Sequence, residues 1–396
     1  MNALAIHLDS TIAASPGELT DSAHIHAEYA RHFDKYFVIV KTLRSMGVKG
    51  GPISENAWVF PTRSINRFGF LWDALRIGQH IIKTHGIDVV TAQDPFACGL
   101  VGYWLKRRYQ VPLNVQVHGE FFDGVFFARE KLEYRAWLQL GRFIAKRADT
   151  LYAVSQRVRD QILSLGVAPQ RVWQFPFAVF IGTFTRSTHI ASIRIHSAPG
   201  RPTVAYVGRL VAQKDLPTLF RAVAIVLASV PDTQFLVIGD GPQRQWLERM
   251  AGKLGISDAV DFLGAVPGEE VARYLHSSDV VVVPSIYEGA CRVMLESLAA
   301  GTPVVSTDVS GARDWLRQGE TGYIVPRRDH HGLARGIAHL LKSPALRQEM
   351  GRRGRELVLS KCRLEDHYQR FVDMLTATGA QRKWHATEAT VGTGSQ

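Results

Sequence analysis

The chain has 396 residues, 46% hydrophobic and 21% charged, with 47 Lys and Arg against 36 Asp and Glu. Such a chain folds and is too long for one ordinary core, so two domains are expected, and no apolar run approaches the ~20 residues that cross a bilayer. The net charge of +11 either serves solubility alone or favours an anionic partner, a phosphorylated substrate or an anionic membrane surface; no nucleic-acid motif is present.

The opening MNALAIHLDS has no basic stretch ahead of its apolar residues, so no signal peptide is read there. Residues 3–13 read as a first strand, the turn-rich SPGELTD follows, and HIHAEYARHF reads as a helix. YFVIV, Tyr36 to Val40, is a short buried strand, and residues 44–70 give no clear pattern. From Leu71 a helix runs to Gly86, then the strand IDVVTAQD, a helix opened by Asp94-Pro95, and the strand PLNVQVHGE. A helix over 131–147, the strand TLYAVS, a helix closed by Gly166 and the strand RVWQFP complete a first βαβ series. Residues 181–201 read as a linker. The alternation then restarts with TVAYVGR and continues through TQFLVIGDG, AVDFLG, VVVVPS and TPVVS, with helices between. Residues 343–377 read as helical, and those from about Thr378 as a disordered tail. Cys98, Cys291 and Cys362 stand far apart without a CxxC pair, so neither a metal site nor a disulfide framework is suggested and a reducing, cytoplasmic setting is expected.

Three places carry chemistry. Gly208-Arg209-Leu210 with Lys214 puts two cations at a strand's carboxyl end ahead of a helix, an arrangement that suits a diphosphate and equally suits solvated surface cations. Glu288 and Glu296, seven residues apart, lie in the loop after VVVVP and near the start of the next helix. Carboxylates accept and sugar hydroxyls donate, so the pair fits a sugar or a ribose, while two solvated acids on a strand-loop-helix unit read the same way. His118-Gly119-Glu120 stands at a strand end, where a histidine is a base, a sugar contact or a satisfied loop residue. Gly239-Asp240-Gly241 only imitates a dinucleotide turn, because Arg244 occupies the third glycine position of GxGxxG.

The order of GRL and Lys214, IGDGP, FLG, PSxxEG, LExLAAGxPVV and ETGYIVP across Val204 to Pro326 resembles the family 4 retaining glycosyltransferases, and DVVTAQDPF, NVQVHGE and YAVS extend the likeness over Asp88 to Pro176. The resemblance implies the GT-B fold, α/β, with two Rossmann-like doubly wound parallel-sheet domains facing each other across a cleft. It implies an acceptor-binding domain over 1–185, a nucleotide-sugar-binding domain over 186–362, a helix over 363–378 packing back on the first domain, and a tail over 379–396. It implies that Arg209 and Lys214 bind the donor diphosphate and take up leaving-group charge, with no metal and no cofactor beyond the nucleotide-sugar substrate. Glu296 would accept from the ribose and Glu288 from the donor sugar. The backbone of Ala290, Cys291, Arg292 and Val293 would lie beside the donor, Gly264 near the base, and His118 facing the reacting sugar. The implied activity is retaining, metal-independent transfer of a sugar to a lipid-linked or growing polysaccharide glycan in cell-envelope biosynthesis. An epimerase on the same fold, or a non-catalytic nucleotide-sugar-binding subunit, remains open.

Two departures stand out. The glycine-rich loop usual after the family's first strand is here SPGELTDSAHIHAEY, with Gly17 alone, which offers His24 or His26 as replacements. After Glu288-Gly289 stands Ala290-Cys291-Arg292, with Arg292 facing either donor or solvent. On the acceptor side, Phe121, Phe122, Phe126 and Phe127 precede a helix carrying Arg135, Arg142, Lys146 and Arg147. Aromatics beside cations suit an anionic membrane interface, which would make the protein peripheral at the inner face of the cell membrane; the same apolar positions also suit a core.

Overall fold

A computed structural model of the chain describes residues 1–13, 20–66, 68–123, 132–177, 179–185 and 200–391. It divides into two compact units, one of Met1–Ala178 with Glu365–Gln396, the other of Val179–Leu364. Both are α/β units built on a largely parallel sheet, and each is described in turn.

The first unit has strands β1 (Asn2–His7), β2 (Lys35–Val40), β3 (Gly51–Ser54), β4 (Ala57–Pro61), β5 (Val89–Ala92), β6 (Leu113–Val117), β7 (Thr150–Ala153) and β8 (Val172–Gln174). Their order is β3-β4-β2-β1-β5-β6-β7-β8, parallel except for β3 on β4. Helices α1 (Asp21–Ala30), α2 (Phe70–His85), α3 (Ala97–Tyr109), α4 (Leu132–Arg147) and α5 (Gln156–Ser164) connect the strands. Strand order reverses between β1 and β5, and ligands of such sheets sit at the carboxyl ends of the strands at that reversal. β1 ends at His7 rather than running on to residue 13. Asp9 accepts from the Thr11 amide and hydroxyl and from Ser22 Oγ, and this local bonding draws Ser10–Ala13 into a 3₁₀ turn.

The unpatterned stretch after residue 44 holds the antiparallel pair β3 and β4. Asn56, between them, donates to the carbonyls of Ala30 and Phe33 and anchors the turn to the end of α1. The C-terminal helix, Leu364–Val391, belongs to this unit. Phe371 stacks on Tyr29 at 4.1 Å, and the His367 ring bonds to Tyr29 Oη at 2.7 Å and the Pro176 carbonyl at 2.8 Å. The helix continues to Val391, past Thr378 where a disordered tail was expected, because Gln381-Arg382-Lys383 and the alanines beyond are good helix formers.

The second unit has β9 (Thr203–Val207), β10 (Gln234–Ile238), β11 (Val260–Gly264), β12 (Val280–Val283), β13 (Val304–Thr307) and β14 (Gly322–Val325), in the order β11-β10-β9-β12-β13-β14, all parallel. Between and after them run α6 (Leu216–Ser229), α7 (Arg244–Lys253), α8 (Gly268–Ser277), α9 (Arg292–Ala300), α10 (His330–Lys342) and α11 (Pro344–Lys361). β14 and α10 were not read from the sequence, and the helical 343–377 divides at Cys362-Arg363. Gly182–Thr185 is a short helix within the stretch read as linker, whose remainder to residue 199 lies outside the described residues. The reversal in this sheet falls between β9 and β12. Both strands are fully apolar where they pair, as a doubly covered parallel strand requires.

No helix among the described residues is long and apolar enough to cross a membrane. All three cysteines are free and buried.

Helix α9 is held from behind. A Cβ on Gly351 of α11 would meet the Gly301 carbonyl at 1.9 Å, and one on Gly354 would meet Leu298 Cδ2 at 2.6 Å, so two glycines let α11 lie against the end of α9. Gly351→Ala should cost about 1–3 kcal/mol in a denaturant titration through overpacking against backbone. An unchanged midpoint would contradict this packing.

Candidate active site

At the β9/β12 reversal the chain builds a charged loop pair. Gly208-Arg209-Leu210 follows β9, and its backbone is clasped by the turn after β10: Gly208 N donates to Ile238 O at 2.9 Å and Leu210 N to Asp240 O at 2.9 Å. A Cβ on Gly239 would lie 2.0 Å from Gly208 O, and one on Gly241 2.5 Å from Leu210 O. The IGDGP glycines therefore let two loops pack backbone on backbone. Arg209 projects from this braced loop, exposed, and its guanidinium has no hydrogen bond or ion pair among the described residues.

Lys214 ends a 3₁₀ turn and precedes Asp215, which holds φ 46° and caps α6. Its loop is tied to the loop after β12: Ile286 N donates to Gln213 O at 2.8 Å, and Gln213 Nε2 to Tyr287 O at 2.9 Å. Lys214 Nζ then reaches Glu288 Oε1 at 2.5 Å, where Ser285 Oγ also donates at 2.6 Å. Glu288 is 6% exposed. Its Oε2 accepts nothing among the described residues and is not sealed from solvent, so it remains an acceptor for ligand hydroxyls.

Cys291, at φ 45°, turns the chain into α9. The first-turn amides of a helix have no intrahelical acceptor and face the space ahead of it. Left-handed backbone at two side-chain-bearing residues, Asp215 and Cys291, each opening a helix beside the same loops, is strain of the kind that gathers at functional sites. Burial pushes the Cys291 thiol well up, with Glu288 adding to the shift. Glu296 is buried on the first turns of α9 and accepts from Arg292 Nε at 2.9 Å, so Arg292 lies along its own helix with its side chain half exposed. Gly264 closes β11 at φ +75°, and its carbonyl accepts from Gly239 N at 2.7 Å.

The first unit has its own centre. A cavity of about 90 Å³ opens at the carboxyl ends of β1, β5 and β6, lined among others by His7, Asp9, His26, Gln93, Gln116 and His118. Neither ring nitrogen of buried His7 has a hydrogen-bond partner among the described residues; its ring meets His26 edge to face at 4.5 Å. His118 is fixed by a chain of bonds across the sheet. Its Nε2 pairs with Gln116 Oε1 at 2.8 Å, and Gln116 Nε2 donates to Thr91 Oγ1 at 3.0 Å. Thr91 donates to Asn114 Oδ1 at 2.9 Å, and Asn114 Nδ2 to Thr150 Oγ1 at 2.9 Å. Thr150 meets Thr378 Oγ1 at 2.6 Å, and Thr378 donates to Met374 O on the C-terminal helix. With every donor in the chain used once, His118 is protonated at Nε2 and Nδ1 carries the lone pair.

Sequence reasoning named Arg209, Lys214, Glu288, Glu296, Ala290 to Val293 and Gly264, and the structure puts all of them at the carboxyl end of the second sheet. His118 belongs to the other unit. His26, offered as a replacement for the missing glycine loop, is buried, bonded to Tyr36 Oη at 3.1 Å, and lines the cavity. His24 turns outward to Glu28, and Gly17 lies outside the described residues. Ser285, Gln213, His7 and Asp9 were not singled out. Ser285 stood inside the quoted PSxxEG, and His7 stood at a strand end, which was the available signal. Of the aromatic cluster, Phe122 is core and Phe121 packs edge to face on Phe96 at 5.1 Å; Phe126 and Phe127 lie outside the described residues. Leu138 and Ile144 of α4 are core as well.

Among solved structures, a sucrose-phosphate synthase from Thermosynechococcus elongatus superposes with a TM-score of 0.79 at 21% identity, covering 99% of this chain and 100% of that one. The fold is thus that of the GT-B glycosyltransferases. A family model described as Glycosyl transferases group 1 matches residues 191–357, and one described as Glycosyltransferase Family 4 matches residues 35–179. The chain belongs to the group 1, family 4 glycosyltransferases and is a glycosyltransferase. An alpha-D-kanosaminyltransferase from Streptomyces kanamyceticus is 28% identical over 273 residues, 67% of this chain and 70% of that protein. A GDP-mannose-dependent alpha-(1-6)-phosphatidylinositol monomannoside mannosyltransferase from Mycolicibacterium smegmatis is 29% identical over 315 residues, 77% and 80% of the two chains.

Burial holds His118, His26 and His367 at about 4, below the ordinary 6.5, and lowers His7 well below it; Asp9 opposes the shift at His26. The unfolded chain then binds more protons between about 6.5 and 4. Stability present above pH 6.5 is lost as pH falls through that window. The unfolding free energy from denaturant titration should drop between pH 7 and pH 4.5 by an amount on the order of a few kcal/mol, and a flat profile would contradict neutral buried rings.

Proposed function

We propose that the protein is a retaining, metal-independent glycosyltransferase that moves a sugar from a nucleotide-sugar to a lipid-linked or growing polysaccharide glycan at a membrane surface of the cell envelope. The observation that carries this is the pairing of Arg209 and Lys214 with Glu288 at one sheet reversal. Cations there meet a diphosphate, and the carboxylate beside them meets sugar hydroxyls. The mannosyltransferase relative, by its name, uses GDP-mannose and a phosphatidylinositol mannoside, which supports a nucleotide-sugar donor and a lipid-borne acceptor.

In this reading the diphosphate lies against Arg209, Lys214 and the amides of Ala290 to Val293 at the head of α9. Glu296 accepts from the ribose, Glu288 Oε2 from the donor sugar, and the Gly264 turn borders the base. As the bond from the anomeric carbon to phosphate oxygen breaks, charge gathers on the leaving diphosphate, where the two cations stabilise it without a metal. The acceptor oxygen bonds the same face of the anomeric carbon through an oxocarbenium-like state, and its proton passes to the departing phosphate oxygen, so configuration is retained. His118, uncharged near neutral pH with Nδ1 as acceptor, takes a bond from a sugar hydroxyl.

Arg209→Met should lower kcat/KM by about 10²- to 10³-fold, a loss typical of one removed charge-stabilising group. Because Arg209 is exposed, thermal stability should hold, while Lys214→Met also strands Glu288. Assays of the purified protein against donor and acceptor panels, with the anomeric configuration read by NMR, decide the reading. Inverted product, or unchanged kcat/KM in Arg209→Met, contradicts it. Donor conversion without acceptor favours an epimerase, and nucleotide binding without turnover a non-catalytic subunit.

A further inference from the structure

Nine large apolar side chains are exposed among the described residues, and five of them are Leu8, Met46, Ile65, Phe68 and Trp72. Leu8 follows β1, Met46 follows β2, and Ile65 and Phe68 follow β4; Trp72 sits on the first turn of α2, directly after them. β4, β2 and β1 are neighbours in the sheet, so their carboxyl-end loops lie side by side. Ile65 and Phe68 are each 80% exposed and Trp72 is 71% exposed, far beyond what such residues show when they serve a core.

The exposure is built into ordered backbone. Asn66 Oδ1 accepts from both the Phe68 and Gly69 amides at 3.0 Å, and Arg44 N donates to Ser64 O at 3.0 Å, tying the β2 loop to the β4 loop. The loops after β2 and β4 are basic, while Asp9 stands beside Leu8 and Asp73 beside Trp72. Residues 41–50 and 62–72 contain five Lys or Arg and no Asp or Glu. Arg44, Lys49 and Arg63 are exposed, as is Arg76 one turn beyond Trp72, and none of the four forms an ion pair among the described residues.

We propose that this tip docks the protein on an anionic lipid bilayer, with Ile65, Phe68 and Trp72 entering the interface and the arginines meeting lipid phosphates. Trp, Phe and Ile flanked by unpaired cations have the composition of an interfacial anchor, and the excess of cations over acids on these loops matches lipid phosphates. The surface differs from the Phe121–Phe127 stretch, part of which is core. It lies at the same end of the sheet as the His7 and His118 cavity, since both follow the carboxyl ends of the strands. A lipid-linked acceptor standing in the membrane would therefore present its sugar end towards that cavity. This last step rests on the proposed acceptor; the docking does not.

Flotation of the full chain with phosphatidylcholine vesicles, with and without phosphatidylglycerol, tests the docking. The wild type should float only with phosphatidylglycerol and be released by salt. Phe68→Ser with Trp72→Ser should raise the lipid needed for half-binding by about tenfold or more, and Arg44→Glu with Arg63→Glu should do the same. Absence of flotation on phosphatidylglycerol vesicles, or flotation unchanged in both pairs, overturns the proposal. Self-association of the wild type without flotation, lost in Phe68→Ser with Trp72→Ser, assigns the tip to a second copy and overturns it too. Donor-induced thermal stabilisation, measured in parallel, should be equal in all variants. Its absence from the wild type would count against the donor site and leave the flotation result standing.

Discussion

The ion pair between Lys214 and Glu288 holds the second unit's chemistry in place. It joins the loops after β9 and β12, the two strands between which the sheet changes direction, and the Ile286 and Gln213 bonds stitch the same loops along their backbones. With little solvent around it, the pair makes a net contribution to stability that is small or even unfavourable, but losing one partner strands the other. Its value is geometric. One ammonium and one carboxylate oxygen are pinned at a known place, and the second carboxylate oxygen is left over for a ligand.

Everything nearby supports that arrangement. The glycines at 239 and 241 allow the β10 turn to brace the Arg209 loop from behind, and the glycines at 351 and 354 allow α11 to brace α9. Asp215 and Cys291 accept left-handed backbone so that α6 and α9 start where they do. In the first unit the brace is polar. A directed chain of hydrogen bonds runs from His118 through β6, β5 and β7 to the C-terminal helix, and it decides which nitrogen of His118 offers a lone pair.

Most strands of the second unit were legible because runs such as VAYV and VVVV are continuous and apolar, although β14 was missed, and the candidate site residues were named from the motif order that carries the family resemblance, since their spacing alone fits solvated surface charges equally well. The first unit's polar strand residues were harder to read. Thr91, Asn114, Gln116 and Thr150 look like the outer face of a half-buried sheet, yet all are buried, because the C-terminal helix returns from the end of the chain to cover them. No local pattern announces a contact between Thr150 and Thr378. β3 and β4 escaped for a related reason: GPIS and AWVFP are too short and too proline-broken to alternate, and their pairing is fixed by Asn56 and by β2. The end of β1 was misjudged because Asp9 turns the chain with its own side chain. An aromatic cluster was sought at Phe121, Phe122, Phe126 and Phe127, of which Phe122 is core and the last two lie outside the described residues, whereas Ile65 and Phe68 lay in a stretch without periodicity and only coordinates reveal their exposure.

The central claim is that Arg209, Lys214, Glu288 and Glu296 form one nucleotide-sugar site that needs no metal. Calorimetric titration of the full-length protein with nucleoside diphosphates in the presence of a chelator tests it most directly. The account predicts saturable binding of at least one nucleoside diphosphate under chelation, weakened in Arg209→Met and in Glu296→Gln. Binding that appears only when a divalent metal is added, or that is indifferent to both substitutions, would contradict it.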